Sequence, residues 1–120
     1  MAHLKIKLQL YCGEEIAMGP GKADLLEAIA SEGSISAAAR SMGMSYRRAW
    51  LLVDTMNRCF REALVETRPG GGERAGACLT PAGHAALSAY RALTAQLIER
   101  AEGDACRDLE NALRAAPQES

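Results

Sequence analysis

Two glycines, Gly33 and Gly43, cut one largely apolar stretch into three short helical blocks, and this punctuation restricts the fold more than any other feature. Before the first, Leu25, Leu26, Ile29 and Ala30 recur at helical spacing until Gly33 stops them. Between the two, Ser34 precedes Ile35-Ser36-Ala37-Ala38-Ala39-Arg40-Ser41-Met42, a segment too short and too rich in Ala for a strand. After Gly43, Ser45 is placed to cap a longer helix running to about Glu62, because its hydroxyl can satisfy a free N–H of the first turn. Small Ala39 falls where the two helices must cross closely, and Ala49 and Leu52 fall where the second faces the first.

The flanks complete a recognisable order. Leu4 to Tyr11 alternates apolar and polar residues and predicts a half-buried strand opening the fold, with its Leu and Ile face inward. Behind the third helix, Leu64 to Arg68 and Ala77 to Leu79 bracket Pro69-Gly70-Gly71-Gly72-Glu73-Arg74-Ala75-Gly76 and predict two short strands around a Gly-rich tip. Thr80 and Pro81 then start a helix carrying Leu87, Tyr90, Leu93, Leu97 and Ile98 until Gly103, and a last amphipathic piece around Cys106, Leu109, Ala112 and Leu113 ends before Pro117. Short helix, Gly turn, longer helix and hairpin is the order of a winged helix-turn-helix. The expected fold class is therefore mostly α with a small antiparallel β-sheet, a winged helix-turn-helix with a long C-terminal dimerisation helix. With 120 residues there is room for one compact domain, divided here into a DNA-binding part over 1–80 and C-terminal helices over 81–116.

Projected at 100° per residue, the third helix separates into two faces. Ala49, Leu52, Val53, Met56 and Phe60 gather on one, and Arg47, Leu51, Asp54, Arg58 and Arg61 on the other. The chain as a whole carries a net charge of −1, yet from Arg40 to Arg61 it has five Arg against the single acid Asp54. All of these cations are Arg, whose planar fork matches guanine O6 and N7 or a phosphate, and Ser45 and Tyr46 add hydroxyls at a helix N-terminus, where phosphates are favoured. Arg68 and Arg74 flank the glycines of the hairpin tip, where missing side chains allow close approach to a nucleic-acid backbone. Trp50 borders the packed face and is expected to cap the core rather than to stack on bases.

Other chemistries find little support. Cys12, Cys59, Cys78 and Cys106 fit no CxxC pair or zinc-finger spacing and read as buried reduced thiols. His3 and His84 lack companions at ligand spacing, the three glycines at 70–72 are no phosphate loop, and Ser, Cys and His form no triad-like group. Neither an enzyme nor a metal or other cofactor is expected. The longest apolar run, Ala49 to Val53, is five residues, so no membrane partner is expected and the N-terminal alternation is no signal peptide; the expected location is cytoplasmic.

Three blocks together, 33–40 (Gly-Ser-Ile-Ser-Ala-Ala-Ala-Arg), 43–50 (Gly-Met-Ser-Tyr-Arg-Arg-Ala-Trp) and Met56-Asn57, are followed by Leu64-Val65-Glu66, the Gly-rich tip and Leu79-Thr80-Pro81-Ala82-Gly83. This combination resembles the N-terminal DNA-binding domain of the molybdate-dependent transcriptional regulators, the ModE family, itself similar to the LysR-type winged helix. The resemblance runs from about Leu4 to Ala101. It implies a dimeric regulator whose third helix reads the major groove while its wing touches the backbone or minor groove. The candidate DNA-binding residues are Ser36, Ser45, Tyr46, Arg47, Arg48, Leu51, Asp54, Arg58, Arg68, Gly71, Gly72 and Arg74; the candidate dimerisation residues are Leu87, Tyr90, Leu93, Leu97 and Ile98.

Full-length members of that family carry C-terminal oxyanion-binding domains, whereas this sequence continues only into a short helix with acids that would repel an oxyanion. The expectation is thus no molybdate or tungstate site, with DNA binding that is constitutive or governed by a separate effector protein. The expected partners are double-stranded DNA and a second copy of the chain. A second function fits the same fold, a winged-helix protein–protein adaptor, for which the six acids against three Arg between Glu99 and Glu119 would favour a basic partner.

Overall fold

The computed structural model describes residues 3–68 and 76–119. The hairpin tip with Gly70, Gly71, Gly72 and Arg74 lies outside the described residues.

A strand exists only where another strand can pair with it, and this shortens the first element. β1 is Leu10–Cys12, and it turns at Gly13 (φ 61°) into β2, Glu15–Met18, which pairs with it antiparallel. The expected strand from Leu4 is not formed, because the partner ends where Gly19-Pro20 begins a helix. The inward face is likewise partial: Ile6 and Leu8 are half-buried, while Leu4 and Leu10 stay exposed. Leu8 is held instead by its carbonyl, which accepts the Tyr90 hydroxyl at 2.7 Å.

α1, Pro20–Glu32, begins with Pro at its first position and buries Ala23, Leu25, Leu26 and Ile29. It ends at Gly33, whose φ of 81° admits few other residues and whose N–H bonds the Ile29 carbonyl at 2.9 Å. α2, Ile35–Ser41, is capped by Ser34, whose hydroxyl accepts the Ala37 N–H at 3.0 Å. A turn through Gly43 (φ 68°) leads to α3, Tyr46–Cys59. Ala38 and Ala39 of α2 and Ala49 of α3 are buried, as a close crossing of two helices requires.

α3 stops at Cys59, short of Glu62, because its last turn is recruited to the hairpin. The Asn57 Oδ1 accepts the N–H groups of Leu64 and Val65 at 2.8 and 3.2 Å, and its Nδ2 donates to the Val65 carbonyl at 3.1 Å. One side chain thus serves the edge of β3 as a neighbouring strand would. β3 (Val65–Arg68) and β4 (Gly76–Leu79) pair antiparallel in the register Val65 to Leu79. On the far side of β4, the Ala77 N–H bonds the Gly33 carbonyl at 2.9 Å, which ties the hairpin to the end of α1.

Thr80 fastens the next helix. Its hydroxyl donates to the Ala63 carbonyl at 2.6 Å and accepts the Gly83 N–H at 3.0 Å, capping α4, Pro81–Ala101. Gly83 packs so closely on Leu64, the residue before β3, that a Cβ there would overlap the Leu64 carbonyl oxygen. α5, Asp104–Ala112, follows with no buried residue. Met18, Leu25, Leu26, Ile29, Met56 and Leu64 form the most enclosed part of the core, so β2, α1, α3 and the start of β3 share one apolar centre.

Candidate nucleic-acid interface

The two faces of α3 separate as the sequence projection predicts. Ala49, Val53 and Met56 are buried, Leu52 and Phe60 pack partly against the core, and Tyr46, Arg47, Arg48, Leu51, Arg58 and Arg61 are exposed. Ser45 caps the helix by accepting the Arg48 N–H at 3.1 Å. That bond uses an oxygen lone pair, so the hydroxyl proton remains able to donate outward. On α2, Ser36 accepts a bond from Arg40 Nη1 at 3.0 Å, which holds that exposed guanidinium along its own helix. Arg68 is exposed at the end of β3, at the base of the hairpin tip.

Charge along α3 is not uniform. Arg58 gives two bonds to Glu15, Nη1 to Oε2 at 3.0 Å and Nη2 to Oε1 at 3.2 Å, and its Nε bonds Asp54 Oδ2 at 3.0 Å. These bonds hold the Glu15 carboxyl below its ordinary range and raise the already basic guanidinium. Arg58 and Asp54 therefore neutralise each other and brace α3 against β2, in place of presenting free charge. Among the described residues, Arg47 and Arg48 have no carboxylate within ion-pair distance. The uncompensated cations lie at the N-terminal end of the helix, where the backbone dipole adds to them.

Four residues gain a meaning that sequence alone did not provide. Trp50 does not cap the core: it is 45% exposed and, with Tyr46 and Arg47, lines an open notch of about 290 Å³. Its neighbour Ala49 is the residue that faces inward, and one step along a helix turns the side chain by about 100°. Lys7 and Lys22 border a second cavity together with Arg48, and burial, then the nearby Arg48 charge, lowers the Lys22 ammonium pKa. Glu15 also acts at long range, bonding Arg58 across 43 residues. Only Asp54–Arg58, four residues apart, was readable from spacing.

The cysteines do not lie in the core. Cys12 and Cys78 are exposed, Cys59 and Cys106 are half-buried, and all four are free. The stripe on α4 is also divided: Leu87 packs on the core and Tyr90 is only 5% exposed, so both belong to the domain itself. Leu93 and Leu97 are 40% and 37% exposed, and Ile98 is half-buried beside Leu4 and α5.

Residues 22–84, from α1 through the hairpin into α4, match the family of bacterial regulatory helix-turn-helix proteins of the lysR type. The chain belongs to that family. Among relatives of this lysR-type chain, the molybdenum-pterin-binding protein MopB of Rhodobacter capsulatus is 47% identical over 65% of the chain and 29% of that protein. The DNA-binding transcriptional dual regulator ModE of Escherichia coli is 36% identical over 81% of the chain and 37% of that protein. The chain thus spans about a third of the length of these relatives. A solved structure, the CbnR_DBD–DNA complex, is similar with a TM-score of 0.54 and 25% identity, over 78% of this chain and 97% of the other. The match includes the winged-helix architecture, so the lysR-type fold extends beyond the helix-turn-helix pair. Among the described residues, no helix is long and apolar enough to cross a membrane.

Proposed function

We propose that this chain is the DNA-binding part of a transcription regulator, and that α3 enters the major groove of duplex DNA with its N-terminal half leading. The observation that carries this reading is the placement of Arg47 and Arg48 on the exposed face of a lysR-type second helix, with Ser45 and Tyr46 beside them. Arg47 reads a base edge, Leu51 contacts the groove floor, and Arg48, Ser36 and Ser45 hold phosphates. Arg68 and the wing residues Gly71, Gly72 and Arg74 follow the backbone. Asp54 and Arg58 set the position of the helix and make no direct contact. The likeness to the DNA-binding transcriptional dual regulator ModE and to the CbnR_DBD–DNA complex supports DNA as partner.

The regulator works as a symmetric dimer, and Leu93 and Leu97 of α4 are the apolar surface that a second copy covers, with Ile98 at its edge. Tyr90, buried within its own domain, lies outside the proposed surface. The domain division follows: residues 1–80 meet DNA and 81–116 pair the copies. Sedimentation of the wild type and of Leu93→Glu/Leu97→Glu tests this: the wild type runs as a dimer and the variant as a monomer, while two monomers refute the interface.

The deciding experiment is fluorescence anisotropy of labelled genomic duplexes at two salt concentrations. Specific binding that weakens with salt supports the reading, because released counterions report phosphate neutralisation. Arg47→Ala lowers affinity by ~1 to 3 kcal/mol and relaxes preference at one base pair. Absence of sequence-dependent binding to any duplex refutes it and returns the adaptor function.

A further inference from the structure

An aromatic pair that the core leaves uncovered stands in the middle of the basic end of α3. Tyr46 and Trp50 are one turn apart, are 56% and 45% exposed, and flank a notch that Arg47 closes on one side. Two large apolar side chains exposed side by side forgo burial that a folded domain usually secures, so their position calls for an occupant. The charges decide its class. Arg47 lines the notch and Arg48 follows it on the same helix, neither with a carboxylate partner among the described residues, which suits a polyanion and disfavours an apolar or basic protein surface. Within the major groove of duplex DNA, the one apolar group presented at the base edges is the C5 methyl of thymine.

We propose that Tyr46 and Trp50 form an apolar notch that receives a thymine C5 methyl in the major groove, making Trp50 a specificity-determining residue. This rests on the DNA-binding reading above and adds to it a base and the side chains that read it. Arg47, at the rim, directs its fork to an adjacent guanine or phosphate while the rings enclose the methyl. Hydrogen bonds then select the neighbouring base pair, and contact with the methyl separates thymine from cytosine, which lacks that group.

The chain contains one tryptophan, so its emission reports this notch without a label. Duplexes selected from a randomised pool by the full chain are titrated while DNA anisotropy and tryptophan emission are followed together. Each thymine of the selected site is then replaced in turn by deoxyuridine, which removes only the methyl. The expected result is a change in emission that tracks anisotropy, and about a fourfold loss of affinity at one thymine per half-site, the effect of one buried methyl. Trp50→Ala removes that difference, binding thymine and deoxyuridine sites alike, and Trp50→Phe retains part of it. Because the indole is so exposed, both variants should melt close to the wild type, which separates loss of reading from loss of fold. Anisotropy that shows specific binding with unchanged emission and no sensitive thymine overturns the notch while leaving the DNA-binding reading intact. Absence of binding in anisotropy overturns both. Emission that changes with protein concentration alone assigns the notch to a contact between copies and also overturns the proposal.

Discussion

Replacing Asn57 by Ala should remove the joint between α3 and the wing. Three hydrogen bonds of 2.8, 3.2 and 3.1 Å are lost at once, two to the N–H groups of Leu64 and Val65 and one to the Val65 carbonyl. A neutral hydrogen bond contributes a net ~0.5 to 1.5 kcal/mol, and a backbone group left buried without a partner costs ~1 to 3 kcal/mol. Leu64 and Val65 are almost fully buried, so water reaches their freed N–H groups poorly; Asn57 itself is half-buried, so some rehydration remains possible. The expected cost is about 2 to 4 kcal/mol, a large part of the ~5 to 15 kcal/mol that holds a domain of this size together. The corresponding fall in Tm is about 8 to 16 °C. Urea unfolding followed by circular dichroism gives the free energy, and Arg61→Ala, exposed and outside any ion pair among the described residues, serves as a control whose change stays within ~0.5 kcal/mol. A loss below 1 kcal/mol for Asn57→Ala, with an unchanged denaturant slope, would show that the amide does not brace the strand.

Two glycine substitutions should act in opposite directions in thermal melts. Gly83→Ala drives a Cβ into the Leu64 carbonyl oxygen and should cost more than ~3 kcal/mol, whereas Gly21→Ala in α1, with open space around it, should stabilise by ~0.5 to 1 kcal/mol; equal behaviour of the two would contradict the packing of α4 on Leu64. For the Glu15–Arg58 pair the sign follows from the depressed carboxyl: its contribution is present above the pKa of the unfolded chain and disappears as pH falls through the lower folded value. The Tm difference between wild type and Glu15→Gln should therefore be largest near neutrality and vanish in acid, and a difference independent of pH would rule the ion pair out as its source. Tyr90→Phe removes the bond to the Leu8 carbonyl and should cost ~1 kcal/mol without altering the oligomeric state. A shift to monomer in sedimentation would return Tyr90 to the dimer contact.

Much of the helical framework was legible because its determinants act within a few residues. Gly33 and Gly43 adopt positive φ where a left-handed turn is needed, Ser34, Ser45 and Thr80 each accept an N–H three residues ahead, and Pro81 sits in the first turn of α4. Such signals need no knowledge of the rest of the chain. The same holds for the faces of α3, whose buried Ala49, Val53 and Met56 follow from helical geometry once the helix is placed. Errors began where a residue had to choose a distant partner. Leu4 to Tyr11 has the alternation of a strand, yet pairing is limited by the length of β2 opposite it, and no local pattern records that length.

The candidate interface divides along the same line. Sequence alone determined that Arg47 would stand on an exposed helix face, since that depends only on rotation about the helix axis. Tertiary structure alone decided that Arg58, on the same face, is bound by Glu15 across 43 residues, while Tyr90 is drawn inward to Leu8 across 82. It also decided that Trp50 remains outside the core while its neighbour Ala49 enters it. Periodicity assigns a direction to a side chain, but whether that direction meets solvent, a carboxylate or another helix depends on where the remaining elements come to rest. Burial and ion pairing are properties of that assembled arrangement, because desolvation and Coulomb attraction act through space and not along the chain.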